Sequence, residues 1–287
     1  MPALRTIVLG MRGTFTTEAL RALLARGCGI SGLIVPGLKG TPWRRLQPMR
    51  SLAADPPSAV ELAWDAGIPV IEVGWVDAAG LRALDALEPD VAAIACFPWL
   101  LPRPWRDRPP RGCVNLHPSL LPGYRGPSPL FWQFRAGEAR TGVSLHAVDG
   151  GADTGSVIAQ EAVPFPDGID TARAETLTAQ AGARLLADWL LDGKTVGPRA
   201  AQAVAAFRNP APTPAARVVP AVWPVRRAFN FIRGASAWGP FEVDTGEERI
   251  AVHEALAMDE AASLGARHRV SGEEVLLQFS DGVLLAR

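Results

Sequence analysis

The chain has 287 residues, 48% of them apolar, enough to bury a large core and to make one large domain beside a smaller one. Its 29 basic and 29 acidic residues give zero formal charge, so bulk electrostatics offer no sign of a nucleic-acid or membrane surface. The three cysteines lack metal-ligand spacing and read as reduced core residues, which fits the cytoplasm, and no apolar run approaches membrane-spanning length.

At the amino terminus a short apolar run ends at Gly10, which reads as a first strand and not as a signal peptide. Residues 6–9 form this buried strand, 17–26 an alanine- and leucine-rich helix, and 30–35 a second strand. A helix at 59–66, a strand at 69–73, a helix at 79–87 and a strand at 91–96 continue the alternation. Strand and helix repeated in this way predict an α/β fold on a doubly wound, mostly parallel sheet, whose ligands bind beyond the carboxyl ends of the strands. Gly10-Met11-Arg12-Gly13 lacks the G-x-G-x-x-G spacing, so it reads as a plain turn and no nicotinamide cofactor is expected. Phe97-Pro98-Trp99-Leu100-Leu101-Pro102 then offers an apolar wall with backbone donors, which suits a flat heterocycle; Trp99 alone would equally be a cap on the core.

Residues 112–116 read as a strand running into Pro118. Asn115 and His117, two apart on a strand, point to one face and can meet one ligand. Taken singly, Asn115 is as readily a turn residue and His117 a packed core histidine. Gly150-Gly151-Ala152-Asp153-Thr154-Gly155 supplies a carboxylate, Asp153, that by itself is an ordinary turn residue. Together an amide, an imidazole and a carboxylate can polarise a carbonyl, hold the oxyanion formed there and manage one proton, which is acyl transfer without a covalent nucleophile. None of the four histidines has a Cys or His neighbour at ligand spacing, so no metal is expected. Arg125-Gly126-Pro127-Ser128-Pro129 leads into a helix near Leu130, with Arg125 either holding a substrate carboxylate or solvated. A strand at 157–163 and a long helix at 170–192 follow. The proline-rich stretch 209–216 reads as a stiff, extended linker between a catalytic domain, 1–208, and a small domain, 217–287. Short apolar runs split by turns make that second domain β-rich and barrel-like.

The run from Cys113 to Phe165 resembles the folate-dependent formyltransferases, the family that includes methionyl-tRNA formyltransferase, glycinamide ribonucleotide formyltransferase, amino-sugar N-formyltransferases and formyltetrahydrofolate deformylase. The likeness rests on Asn115, His117, Ser119 to Pro122, Arg125-Gly126, residues 137–143 and Asp153 to Gly155. His117 and Asp153 stand 36 positions apart (153 − 117), as the family's pair does, and a weaker likeness covers most of 4–240. The resemblance implies the formyltransferase fold, 10-formyltetrahydrofolate as formyl donor, an amine acceptor, and Asn115, His117 and Asp153 as the catalytic set. Asn115 and a protonated His117 would bind the oxyanion, Asp153 would orient His117 and favour its protonated form, and a water would carry the amine's proton to the leaving nitrogen. The family's pterin pocket would fall on Phe97, Pro98, Trp99, Leu100 and Leu101, on Ser119, Leu120, Leu121 and Pro122, and on Asp149, Gly150, Gly151 and Ala152, largely through backbone contacts.

Three departures bear on the acceptor. Residues 217–287 hold 8 Arg, no Lys and 10 Asp plus Glu, a charge of −2 (8 − 10), whereas a domain gripping a polyanion should be basic. The stretch from Pro36 to Arg45 lacks the Asp-Arg-Pro-x-Gly-Arg-Gly wording of the transfer-RNA enzymes, although its Lys39, Arg44 and Arg45, with Arg50, could meet phosphate. Pro118 after the histidine matches the glycinamide ribonucleotide and sugar enzymes better. The expected acceptor is therefore a small amine, such as an amino sugar or nucleotide-linked amine, ahead of the methionyl group on initiator tRNA. Hydrolysis of the folate to formate is a weaker alternative, because the sequence begins directly at the first strand with no preceding regulatory domain. A non-catalytic binding role does not fit a complete catalytic set.

Overall fold

The computed structural model describes residues 4–48, 57–193, 196, 202 and 207–287. The chain divides into two compact units. One comprises Met1–Arg125, Gly142–Val163 and Glu175–Arg208, the other Gly126–Thr141, Pro164–Ala174 and Asn209–Arg287.

The sheet carries the elements β1 (Thr6–Gly10), β2 (Ile30–Pro36), β3 (Arg44–Leu46), β4 (Val70–Val73), β5 (Val91–Ala95), β6 (Cys113–His117), β7 (Arg140–Ala147) and β8 (Val157–Pro164). Between them run α1 (Thr14–Ala25), α2 (Ala59–Asp65), α3 (Ala78–Asp85), α4 (Arg103–Arg106) and α5 (Pro129–Ala136), and α6 (Thr171–Leu191) follows β8. The strand order is β3-β4-β2-β1-β5-β6-β7-β8. Neighbours from β4 through β6 are parallel, while β3 on β4 and β7 on β6 are antiparallel. The doubly wound frame read from the sequence is therefore present, with β3, α4 and β7 as additions.

Side-chain alternation along these strands builds a core on each face. Val8, Leu33, Val35, Val91, Ala93, Val114 and Leu116 pack with Leu20 and Leu23 of α1, Val60 of α2 and Leu186 of α6. Ile7, Leu9, Ile34, Ala92, Ile94 and Cys113 pack on the other side with Leu84 of α3 and Trp105 of α4. Asn115 and His117 share the parity of Cys113, so both leave β6 on the second face. Helix starts are locally encoded: Ser58 and Glu61 close a capping box on α2, and the Asp77 carboxylate accepts from Ala79 N and Gly80 N, each at 2.9 Å, at α3. Such caps are each worth about 1 kcal/mol.

In the second unit, α5 packs against α7 (Val225–Gly234) through Phe131 and Phe231, whose rings lie 5.3 Å apart, and Phe231 also meets Phe241 at 5.2 Å. Phe134 stacks on Phe165 at 4.6 Å. Two small sheets complete it: β9 (Val218–Pro220), β10 (Phe241–Asp244) and β11 (Arg249–Val252), and then β12 (Ala255–Asp259), β13 (His268–Ser271), β14 (Glu274–Phe279) and β15 (Gly282–Ala286). The proline-rich stretch is not extended throughout: Pro214–Arg217 closes into a 3-10 turn because the Thr213 hydroxyl accepts from Ala216 N. No described helix is long and apolar enough to cross a membrane.

Candidate active site

Adjacent parallel strands β5 and β6 bring two loops to one edge of the sheet, residues 97–101 after β5 and 119–122 after β6. The antiparallel partner β7 sets His146 directly across from Asn115 and Ser144 across from His117. The chain leaving β7 returns over them as the loop carrying Asp153. Three features hold that loop. The Asp149 carboxylate accepts from Gly151 N at 2.9 Å and from Thr154 Oγ1 at 2.6 Å. Gly155 lies so close to β7 that a Cβ on it would stand 1.9 Å from the Ala147 carbonyl oxygen. Asp153 itself adopts φ 56°, a left-handed conformation that a non-glycine residue takes when its surroundings impose it.

The three residues named from the sequence meet. Asp153 Oδ1 lies 3.5 Å from His117 Nδ1 and 3.4 Å from Asn115 Nδ2. A fourth group, His146, completes the cluster, with Nε2 at 3.0 Å from Asn115 Nδ2 and 3.6 Å from Asp153 Oδ1. Carbonyl oxygens fix the proton positions on both rings, because a carbonyl only accepts. His146 Nδ1 donates to Ala147 O at 2.8 Å, which leaves its Nε2 to accept from the Asn115 amide. His117 Nε2 donates to Tyr124 O at 3.0 Å, which leaves Nδ1, the nitrogen facing Asp153, as the one that gains or loses a proton.

The sequence reading has Asp153 favouring the protonated form of His117, and Asp153 does push the ring that way, against a larger opposing influence. His117 is buried, and burial pulls its pKa below the ordinary histidine value; Asp153 and the Tyr124 carbonyl push it up and His146 pulls it down, but desolvation is the largest influence. The resting ring is therefore neutral near pH 7.

The residues expected to bind the pterin fall into two groups. Phe97 and Trp99 are half-buried, their rings edge-to-face at 5.3 Å, and Leu100 is exposed, while Leu101 is turned into the core. Leu120 and Pro122 lie at the surface. Ser119 and Leu121 are buried and serve the loop: Ser119 Oγ donates to Gly123 O, Leu121 N donates to Ser144 Oγ at 3.0 Å, and Leu121 O accepts from Gln160 Nε2 at 2.9 Å. Asp149 and Gly150 are exposed, and the Arg106 guanidinium lies against Gly150. Gly151 and Ala152 are half-buried.

Two further readings change. Arg125, expected to be solvated or on a substrate carboxylate, is 5% exposed and donates to Gln202 Oε1. Cys96, expected in the core, is exposed at the end of β5, whereas Cys28 and Cys113 are buried. His146 was missed as a site residue, since its only signal was a histidine within a mixed polar and apolar stretch. Arg50 lies outside the described residues.

Residues 50–189 match the formyl transferase family. The chain is 37% identical over 153 residues to the methionyl-tRNA formyltransferase of Syntrophus aciditrophicus, covering 53% of this chain and 47% of that one, so this match spans about half of the relative's length. It is 32% identical over 278 residues to the methionyl-tRNA formyltransferase of Moorella thermoacetica, covering 94% of this chain and 86% of that one. In fold it resembles the N-formyltransferase from Helicobacter canadensis crystallised with folinic acid and dTDP-3-aminofucose, at a TM-score of 0.66 and 15% identity over 99% of this chain and 98% of that one. It also resembles HypX from Aquifex aeolicus in complex with tetrahydrofolic acid, at a TM-score of 0.63 and 15% identity over 99% of this chain and 43% of that one. The near full-length likeness at 32% identity, on a site whose Asn, His and Asp converge, shows that the chain belongs to the folate-dependent formyltransferase family.

Proposed function

We propose that the protein transfers the formyl group of 10-formyltetrahydrofolate to a primary amine. The observation that carries this reading is the convergence of Asn115, His117 and Asp153, with His146 behind Asn115, on one carboxylate oxygen. The acceptor nitrogen attacks the formyl carbon, forming a C–N bond, and the carbonyl electron pair moves to oxygen. One Asn115 N–H is engaged by His146, while the other makes the long 3.4 Å contact to Asp153, so an incoming formyl oxygen can take over that second donor. Neutral His117 takes the proton from the attacking nitrogen at Nδ1, forming an imidazolium that Asp153 stabilises. It returns the proton to N10 of the folate as the C–N10 bond breaks, which leaves tetrahydrofolate, the N-formyl amine and a neutral ring. The pterin is read by the 97–101, 119–122 and 149–152 loops, and the protein works in the cytoplasm.

A small amine is the acceptor the geometry favours. Seven of the eight arginines in 217–287 are occupied within the second unit: Arg226 by Asp167 and Glu260, Arg249 by Glu242 and Asp244, Arg267 by Glu247, Arg287 by Glu254, and Arg217, Arg227 and Arg233 on backbone carbonyls. Little positive charge is left to meet a phosphate chain. The second reading, the methionyl group of initiator tRNA, is supported by the name of the Moorella relative. Incubation with 10-formyltetrahydrofolate and, separately, amino sugars, nucleotide-linked amines and charged initiator tRNA decides. Formamide formation on a small amine supports the proposal, formylation of the tRNA alone replaces its acceptor, and formate release without an amine overturns transfer.

A further inference from the structure

Asp153 reaches His117 only while residues 153–155 hold their course, and part of the hold comes from a distant point in the chain. Gln202 uses its whole amide. Its Oε1 accepts from Arg125 Nε at 3.1 Å and Nη2 at 2.5 Å, and its Nε2 donates to the carbonyls of Asp153 at 2.9 Å and Gly155 at 2.7 Å. Arg125 is buried, and a guanidinium out of water needs matched acceptors, so the pair forms a hydrogen-bonded strut. A bridge between Arg125 and Arg208 fixes the base of that strut. On the other side Gly155 is wedged against the Ala147 carbonyl. The loop is thus gripped from both sides around a residue in the left-handed conformation.

We propose that Gln202, anchored by the buried Arg125 guanidinium, is a positioning residue that holds the Asp153 backbone in its left-handed turn and so sets the carboxylate against His117 and Asn115. The proposal rests on the reading of those three residues as the reacting set. The groups facing His117 are Asp153, His146 and the Tyr124 carbonyl, and Asp153 is the one among them that Gln202 governs.

Two variants test it. Gln202→Met keeps the length of the side chain and removes both donors. Gln202→Glu keeps an acceptor for Arg125 and removes the donors only, so it serves if the first variant does not fold. The imidazole signals of His117, one of four histidines and assigned with His117→Asn, are followed by NMR against pH. Because Asp153 raises the His117 pKa, a loosened Asp153 shifts this titration to lower pH. With the amine that turns over fastest, kcat falls about 10²-fold and KM for the folate changes little, as for a slightly misplaced reacting group. A folded variant whose His117 titrates as in the wild type overturns the proposal, whatever its kcat. If the wild type transfers no formyl group, the formyl-transfer reading fails, and the titration still decides the positioning role.

Discussion

His117 stands between opposed influences, burial lowering its pKa and Asp153 raising it, and burial is the stronger. A base that must be neutral in the free enzyme gives a kcat/KM that rises with pH through its pKa and then levels off. The rising limb should therefore be centred below the ordinary histidine value, near pH 6.5; a limb centred at or above that value contradicts the neutral ring. Asn115 and His146 separate by magnitude. Asn115→Ala should lose about 10²–10³ in kcat, as expected when an oxyanion donor is removed. His146→Ala removes the acceptor that orients the Asn115 amide at 3.0 Å, a hydrogen bond worth about 1 kcal/mol, so the loss should be about five-fold. Equal losses in kcat would show that His146 itself meets the reacting groups.

At the scale of elements, the loop from β7 to β8 is the sensitive part. A Cβ at Gly155 would meet a backbone oxygen, which cannot turn aside as a side chain can. Gly155→Ala should cost about 1–3 kcal/mol, measured by thermal unfolding, as overpacking does. Displacement of Asp153 should lower kcat by about 10²-fold. Wild-type kcat in a folded Gly155→Ala protein would mean that the loop's course does not matter. How legible each element was in the sequence follows the same line. Strand β5 was readable because its buried run is continuous, β6 because it follows a proline-rich loop and runs into Pro118, and the shared face of Asn115 and His117 followed from strand parity. Strand β7 was not, because Ser144 and His146 break the continuous apolar run that a strand buried on both faces would otherwise show, one pinning Leu121 N and the other holding Asn115. The polar residues that obscured the strand are those that serve the site. Strand β3 is a three-residue edge with no room for a pattern, and the partnership of Gln202 with residues 125 and 153–155 arises only in the fold.

For the whole molecule, the balance of charge separates the acceptors. Arg44, the first candidate for phosphate contact outside the second unit, is paired with Glu72 at 2.8 Å, and Lys39 lies 4.9 Å from the centre of the Trp75 ring. Binding of initiator tRNA at physiological salt should accordingly be weak. If binding were tight, and Arg44→Ala with Arg45→Ala both weakened it and flattened its salt dependence, counterion release would identify tRNA as the acceptor. Beneath the choice of acceptor lies the claim that the Asn, His and Asp cluster performs the formyl transfer. The most direct measurement is kcat of His117→Asn beside its affinity for the folate and its thermal stability. A fall of several orders of magnitude in kcat, with folate affinity and fold retained, is the predicted result. Near-normal turnover by His117→Asn would contradict it.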